Sequence, residues 1–217
     1  MQPFNRLTGP VACLPQPNID TDVIIRIERL AAGDRTALGT YAFEALRYRS
    51  DGTENPVFPL NRPEFRGAPI LVAGANFGCG SSREGAVWAL MALGLRCVIA
   101  PSFGDIFYNN CFQNGLLPIV LAEPLVIAIA DLAIGGAPLT IDLERRTLAW
   151  SDAPPLRFEI DEMRRQSLLT GLDPIELTLR DAAAIAAWQA GDRTDRPWVW
   201  NLDRPGTGRL TRSGNPR

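Results

Sequence analysis

Residues 68–84 read APILVAGANFGCGSSRE, a short apolar run that passes directly into a glycine-rich loop, two serines, an arginine and a glutamate. Four apolar residues, Ile70–Ala73, bounded by turn formers, read as a short buried strand. Ser81 and Glu84 have the spacing of a capping box, in which the serine accepts from the glutamate amide and the glutamate reaches back to the serine amide. Beyond it, apolar residues at Ala86, Val87, Leu90, Met91 and Leu93 keep helical spacing until Gly94 stops them. Strand, loop and helix in that order are the unit from which α/β folds are wound.

Working outward, the unit repeats. Cys97–Ala100 is a short strand, Ser102–Asn114 a helix, Leu116–Leu121 a strand, and Pro124–Ile134 a helix with its proline at the start. Leu139–Leu143 and Leu156–Ile160 alternate as strands with one buried face, and helical spacing returns at Asp161–Leu169 and Asp181–Ala190. On the N-terminal side, Leu7–Leu14 reads as a strand. After it come the loop PQPNIDTD, the apolar stretch Val23–Ile27, a short helix over Thr40–Arg47 and a turn-rich linker over 50–67. The pattern predicts an α/β fold with a mixed sheet, flanking helices and antiparallel strands toward the C-terminus. Residues 1–191 form the expected domain, and 192–217 an Arg/Pro/Gly-rich tail, disordered at least from Gly206, whose Trp198 and Trp200 are placed to dock it.

Composition narrows the chemistry. The chain has 217 residues, 46% hydrophobic and 21% charged, with net charge −2, so neither nucleic acid nor an anionic membrane is an expected partner. No stretch reads as a signal peptide or an uninterrupted membrane span, which predicts a cytoplasmic protein. The chain has no histidine, and all 22 basic residues are arginine. Without lysine there is no Schiff base and no Walker lysine; without histidine the usual general base and the Ser-His and Cys-His systems are missing. Cys13, Cys79, Cys97 and Cys111 are separated by 66, 18 and 14 residues, too widely scattered for a grouped set of cluster ligands. Any site in this chain is therefore unusual or incomplete.

The loop at 74–86 suits an anion. Its glycines allow close backbone approach, a helix start presents free amides, and Arg83 adds a planar fork for a carboxylate or phosphate. Neither nucleotide motif fits, because there is no GK[ST] and Arg83 occupies the place of a third glycine, so a small carboxylate is the expected ligand. Asn18-Ile-Asp-Thr-Asp22 reads as an Asx-turn or cap, with Asp20 or Asp22 as an alternative orienting partner for Arg83. Ser102-Phe-Gly-Asp105 reads as another cap, in a loop that would lie with GCGSSRE beyond the C-terminal ends of the strands, where α/β sheets collect ligands.

NIDTDVII at 18–25, NFGCGSSRE at 76–84, VIAPSFGDIFYNNCFQNGLLPI at 98–119 and RFEIDEMRRQSLLTGLDPIELTL at 157–179 resemble the small subunits of 3-isopropylmalate dehydratases, in the aconitase superfamily. The resemblance spans about Leu7 to Ala190. It implies a single swivel-type β/β/α domain that works as a heterodimer. This chain would bind no cofactor; the large subunit would carry a [4Fe-4S] cluster, its cysteine ligands and the catalytic histidines. It implies dehydration of 2-isopropylmalate and rehydration to 3-isopropylmalate, in leucine biosynthesis. By motif, Ser81 corresponds to the serine base and Arg83 to an arginine that binds substrate carboxylate. Ser82 would help position substrate, Thr21 and Asp22 match the superfamily's active-site loop, and Glu84 keeps the cap.

Two departures bear on substrate. Arg26 and Ile27 replace the family's usual residues after the TD loop, and Gly85 stands where histidine is usual. The segment Arg26–Arg35 aligns with the loop that reads the substrate's side group. Arg26 and Arg29, with Ser102, join the expected substrate-binding set and make that segment cationic. A related diacid, methylmalate (citraconate) or dimethylmalate, is the alternative substrate, and a non-catalytic anion-binding or scaffold domain is the alternative of another class.

Overall fold

A computed structural model describes residues 1–31, 34–80, 83–134, 136–150 and 153–200. They fall into two compact units, Met1–Pro174 and Ile175 onward. In the first, the strands are β1 (Arg6–Gly9), β2 (Val11–Leu14), β3 (Ile70–Ala73), β4 (Cys97–Ala100), β5 (Leu117–Val120), β6 (Leu139–Asp142), β7 (Thr147–Ala149) and β8 (Leu156–Arg157). Its helices are α1 (Thr21–Ile24), α2 (Ile27–Leu30), α3 (Leu38–Tyr41), α4 (Glu44–Arg47), α5 (Glu84–Ala92), α6 (Asp105–Asn114), α7 (Glu123–Ile134) and α8 (Glu162–Thr170).

The α/β class is as expected, with parallel and antiparallel strands and flanking helices. The two kinds of pairing are segregated: β2-β3-β4-β5 form a parallel sheet in that order, and β1-β6-β7-β8 an antiparallel one. The run Leu7–Leu14, expected as one strand, is divided at Pro10. Residues 6–9 pair with β6, and residues 11–14 pair with β3. Proline brings no N–H to a ladder, and there the chain leaves one sheet for the other.

The parallel strands are apolar throughout because both faces are covered. Leu71, Ala73, Val98 and Ala100 point into one core with Phe77, Val87 and Leu90. Their neighbours Ile70, Val72, Cys97 and Ile99 point into a second core with Val126 and Ile129 of α7 and with Leu139, Ile141 and Leu148 of the antiparallel sheet. Each fully buried leucine or isoleucine contributes roughly 1.5–3 kcal/mol.

Three short elements differ from the sequence reading. The helix expected over Thr40–Arg47 is two turns, α3 and α4, separated at Phe43, which is fully buried with φ 56°. That left-handed backbone is costly for a bulky residue; ring packing with Phe58 at 5.6 Å and the bond from Phe43 N–H to Ile24 carbonyl, 2.8 Å, hold it there. Strand β7 was not anticipated, being three residues after a turn. The strand expected over Leu156–Ile160 covers only two residues.

The second unit holds most of α9 (Pro174–Leu179), with α10 (Ala182–Asp195) and α11 (Pro197–Trp200). Helix α10 runs through Gly191, so the expected boundary at residue 191 falls inside it. Asp192 ties the end of α10 to α11 and the residue before it, accepting from Arg196 Nε at 2.6 Å and Trp200 Nε1 at 2.9 Å. The stretch expected to be disordered lies outside the described residues. Among those described, no helix is long and apolar enough to cross a membrane.

Candidate active site

Three loops leave the C-terminal ends of β2, β3 and β4 and stay joined beyond the sheet. Asn18 N–H donates to Ala75 carbonyl at 2.8 Å, Gly78 to Ile19 at 2.7 Å and Thr21 to Cys79 at 2.9 Å. On the other side, Phe77 N–H donates to Ser102 carbonyl at 3.1 Å and Gly104 N–H to Phe77 carbonyl at 2.9 Å. Asn18 and Asn76 both sit at φ 58°, a region asparagine tolerates, and Asn76 Nδ2 donates to Asn18 Oδ1 at 2.8 Å. Gly78 has φ 72°, and a Cβ there would lie 2.2 Å from the Phe107 ring, so only glycine lets the loop pass over that ring. An open cleft of about 380 Å³, lined in part by Asn76, Gly78, Cys79, Phe103 and Ile106, lies beside the loop.

The charged pair at this edge joins two of the loops. Asp20 caps α1, accepting from Val23 N–H at 2.7 Å, and two residues on Asp22 hydrogen-bonds through Oδ1 to Arg83 Nη1. Of the two acids offered as orienting partners of Arg83, Asp22 takes the bond. The Arg83 side chain is 18% exposed and that of Asp22 54%, so the cation is the better shielded partner. Arg83 itself, in extended conformation, occupies the N-cap of α5. A guanidinium paired with a carboxylate at a helix start is of the chemical kind that binds carboxylates.

The capping box expected of Ser81 and Glu84 involves Ser81, which lies outside the described residues. Helix α5 starts at Glu84, and its cap residue is Arg83. Glu84 Oε1 accepts from Asn114 Nδ2 at 2.8 Å, while Asn114 Oδ1 accepts from Trp88 Nε1 at 2.9 Å, fastening the first turns of α5 to the end of α6. Ser102 does not cap α6, which starts behind Gly104. Its hydroxyl accepts from Asn76 N–H at 2.8 Å and fixes the glycine loop from the side. Ser81 and Ser82 lie outside the described residues.

Thr21 is buried, with its hydroxyl oxygen next to Gly80. Arg26 is exposed at the N-cap of α2. Arg29 gives Nε and Nη2 to the two oxygens of Glu44, each at 2.8 Å, and lies 4.4 Å over the Tyr41 ring. The Arg29 hydrogen bond holds the Glu44 carboxyl below its usual range against the effect of burial, with the charges of Arg29 and Arg26 assisting. What reads in sequence as a cationic surplus is thus largely an ion pair with Glu44. That acid escaped notice because it stands 15 residues on, in a stretch without regular spacing. The Asn18–Asn76 bridge was missed too, although an asparagine in each of two loops joined to strands was a usable signal.

The thiols do not suit an iron-sulfur cluster. Cys97 and Cys111 are fully buried in different cores, and burial pushes both thiols well above their ordinary range. Cys13 is raised to about 11 by burial and then by Asp131. No group of three His, Cys, Asp or Glu residues able to hold a metal occurs among the described residues.

Comparison with known proteins adds independent findings. Residues 1–124 match the model of the aconitase C-terminal domain. A 3-isopropylmalate dehydratase small subunit from Sinorhizobium fredii is 52% identical over 201 residues, covering 92% of this chain and 100% of that protein. One from Dinoroseobacter shibae is 50% identical with the same coverage. The crystal structure of 3-isopropylmalate dehydratase from Methanocaldococcus jannaschii superposes with TM-score 0.62 at 28% identity, covering 84% of this chain and 99% of that one.

Proposed function

This chain belongs to the family of 3-isopropylmalate dehydratase small subunits, and from that premise we propose how its loops take part in the reaction. It is the small subunit of an isopropylmalate isomerase, a hydro-lyase that works with a large subunit. The observation that carries the proposed site is the Asp22–Arg83 pair at the start of α5, where the three loops converge. In a chain with no histidine or lysine, that start combines a guanidinium with the amides of a helix N-terminus.

In the proposed reaction Ser81 takes the proton from the carbon next to the hydroxyl-bearing carbon of 2-isopropylmalate. The hydroxyl takes a proton from an acid of the large subunit and departs as water, the C–H electron pair forming the double bond of an alkene diacid. Water then returns with hydroxyl and hydrogen exchanged between the two carbons, giving 3-isopropylmalate. A serine oxyanion strong enough for this needs fixed positive charge and little water. Arg83 and the amides of the α5 start supply the first, and the large subunit closing over the loops would supply the second. Arg83 also holds a substrate carboxylate, with Asp22 fixing its direction. Ser82 and Arg26 line the substrate, while Thr21, buried beside Gly80, acts one step back with Ser102 and Arg29, the last two through Asn76 and Glu44.

The cluster that polarises substrate in this superfamily is assigned to the large subunit, consistent with thiols here that do not group. The pairing of Arg29 with Glu44 supports a branched alkyl side group over a more polar one, since it neutralises one of the arginines of that segment. A cytoplasmic location goes with this reading.

The test is to purify the chain with its large subunit and assay 2-isopropylmalate and its 2-methyl analogue. Neither chain alone should turn over either substrate, and the complex should act on the isopropyl compound. A complex that forms but dehydrates no 2-hydroxy diacid would point to a scaffold role instead.

A further inference from the structure

The loops that follow β2 and β3 are joined in step beyond the sheet. Asn18 N–H bonds to Ala75 carbonyl, Gly78 N–H to Ile19 carbonyl, Thr21 N–H to Cys79 carbonyl, and Arg83 to Asp22. The two chains do not advance equally. From the first bond to the third, one moves from 18 to 21 and the other from 75 to 79. In the last step the first chain moves a single residue, from Thr21 to Asp22, while the second moves from Cys79 to Arg83. The stretch with the surplus residues contains Ser81, and both of its boundary residues are bonded to the neighbouring loop.

The Arg83 boundary has a side-chain bond of its own. Ahead of the Cys79 boundary, Asn76 is tied to the loops on both sides: its Nδ2 donates to Asn18 Oδ1 and its N–H to Ser102 Oγ, each at 2.8 Å. Asn18 and Asn76 share φ 58°, and Gly78 follows at φ 72° against the Phe107 ring, so each loop turns in the left-handed region where the two amides meet. Resting on the reading of Ser81 as the base, we infer that Asn18 and Asn76 are positioning residues for the reaction. Their amide bridge sets the register of the two loops, and through it the stance of the residues leading into Ser81 relative to Arg83. The bridge is exposed, so its value lies in geometry, to which a reacting pair is sensitive at about 1 Å.

The experiment uses the cluster-loaded complex and 2-isopropylmalate. Asn76→Gly and Asn18→Gly each keep access to the left-handed backbone and lose the bridge. In either, kcat should fall about fivefold, the factor that corresponds to one net hydrogen bond of about 1 kcal/mol. KM should stay within about twofold of wild type, because Arg83 keeps Asp22. The two glycine changes together should cost no more than either alone. Asn18→Asp offers Asn76 the same acceptor and should bring kcat back to within about twofold of wild type. If Asn76→Gly does not assemble, Asn18→Gly and Asn18→Asp decide. A kcat unchanged in the glycine variants overturns the inference, and so does a matched loss in kcat and rise in KM, or an Asn18→Asp complex as slow as Asn18→Gly. A wild-type complex inactive on 2-isopropylmalate would overturn the proposed function itself, and this inference with it.

Discussion

Two ion pairs in this molecule have nearly the same exposure and opposite meanings. In Arg165–Glu162 the side chains are 14% and 56% exposed; in Arg83–Asp22 they are 18% and 54%. The first joins residues three apart in the first turn of α8 through two contacts, Nε to Oε2 at 3.0 Å and Nη2 to Oε1 at 2.7 Å. It braces a helix that Asp161 already caps. The second joins residues 61 positions apart, Asp22 in α1 and Arg83 at the N-cap of α5, beyond the C-terminal edge of a parallel sheet. Solvent exposure alone would rank them equal. Where the backbone puts them makes one a local brace and the other part of the proposed site.

Changing each arginine to lysine separates the two most strongly. Arg83→Lys keeps the charge and loses the planar fork, so kcat/KM of the complex should fall about 10²–10³-fold, the scale of losing an aimed donor. Its thermal midpoint should scarcely move, because a partly exposed pair contributes only about 0–1 kcal/mol. Arg165→Lys should leave kcat/KM unchanged. Equal losses for the two variants would dissolve the contrast, and Asp22→Asn, which leaves the arginine its charge but not its anchor, should fall between them.

A smaller effect reads the other pair. Hydrogen bonds from Arg165, and then Gln166, lower the Glu162 carboxyl to about 2 from an ordinary 4.5. With the folded value below the unfolded one, the stabilisation is fully present above about pH 4.5 and is lost as pH falls toward 2. Stability measured against pH should therefore show wild type exceeding Glu162→Gln at about pH 5, with the gap closing by about pH 2 and shrinking in high salt. A gap independent of pH would mean that Glu162 acts through packing rather than charge.

Much of the frame was legible because it depends on local pattern. Ile70–Ala73 and Cys97–Ala100 are apolar at every position, and the two cores explain why. The meeting of the loops that follow the strands could be read from the order of strands and loops, and the Asp22–Arg83 pair was among the alternatives the loop composition allowed. What sequence did not disclose depends on partners distant along the chain. Pro10 moves the chain between sheets, a consequence visible only once β6 and β3 are in place. Glu84 also accepts from Asn114 of α6, 30 residues on, a partner that no local spacing announces. Gly85 looks like a gap in a helix until Leu30 is found resting on it, 55 residues away in sequence.

The central claim is that this chain is half of a site whose base is Ser81. The direct measurement is kcat for 2-isopropylmalate in the reconstituted complex carrying Ser81→Ala, with complex formation and thermal midpoint measured in the same preparations. The account predicts a loss of about 10²–10⁴-fold in kcat, the range for removing a positioned base, with assembly and stability close to wild type. A Ser81→Ala complex that assembles and keeps near-normal kcat would contradict it.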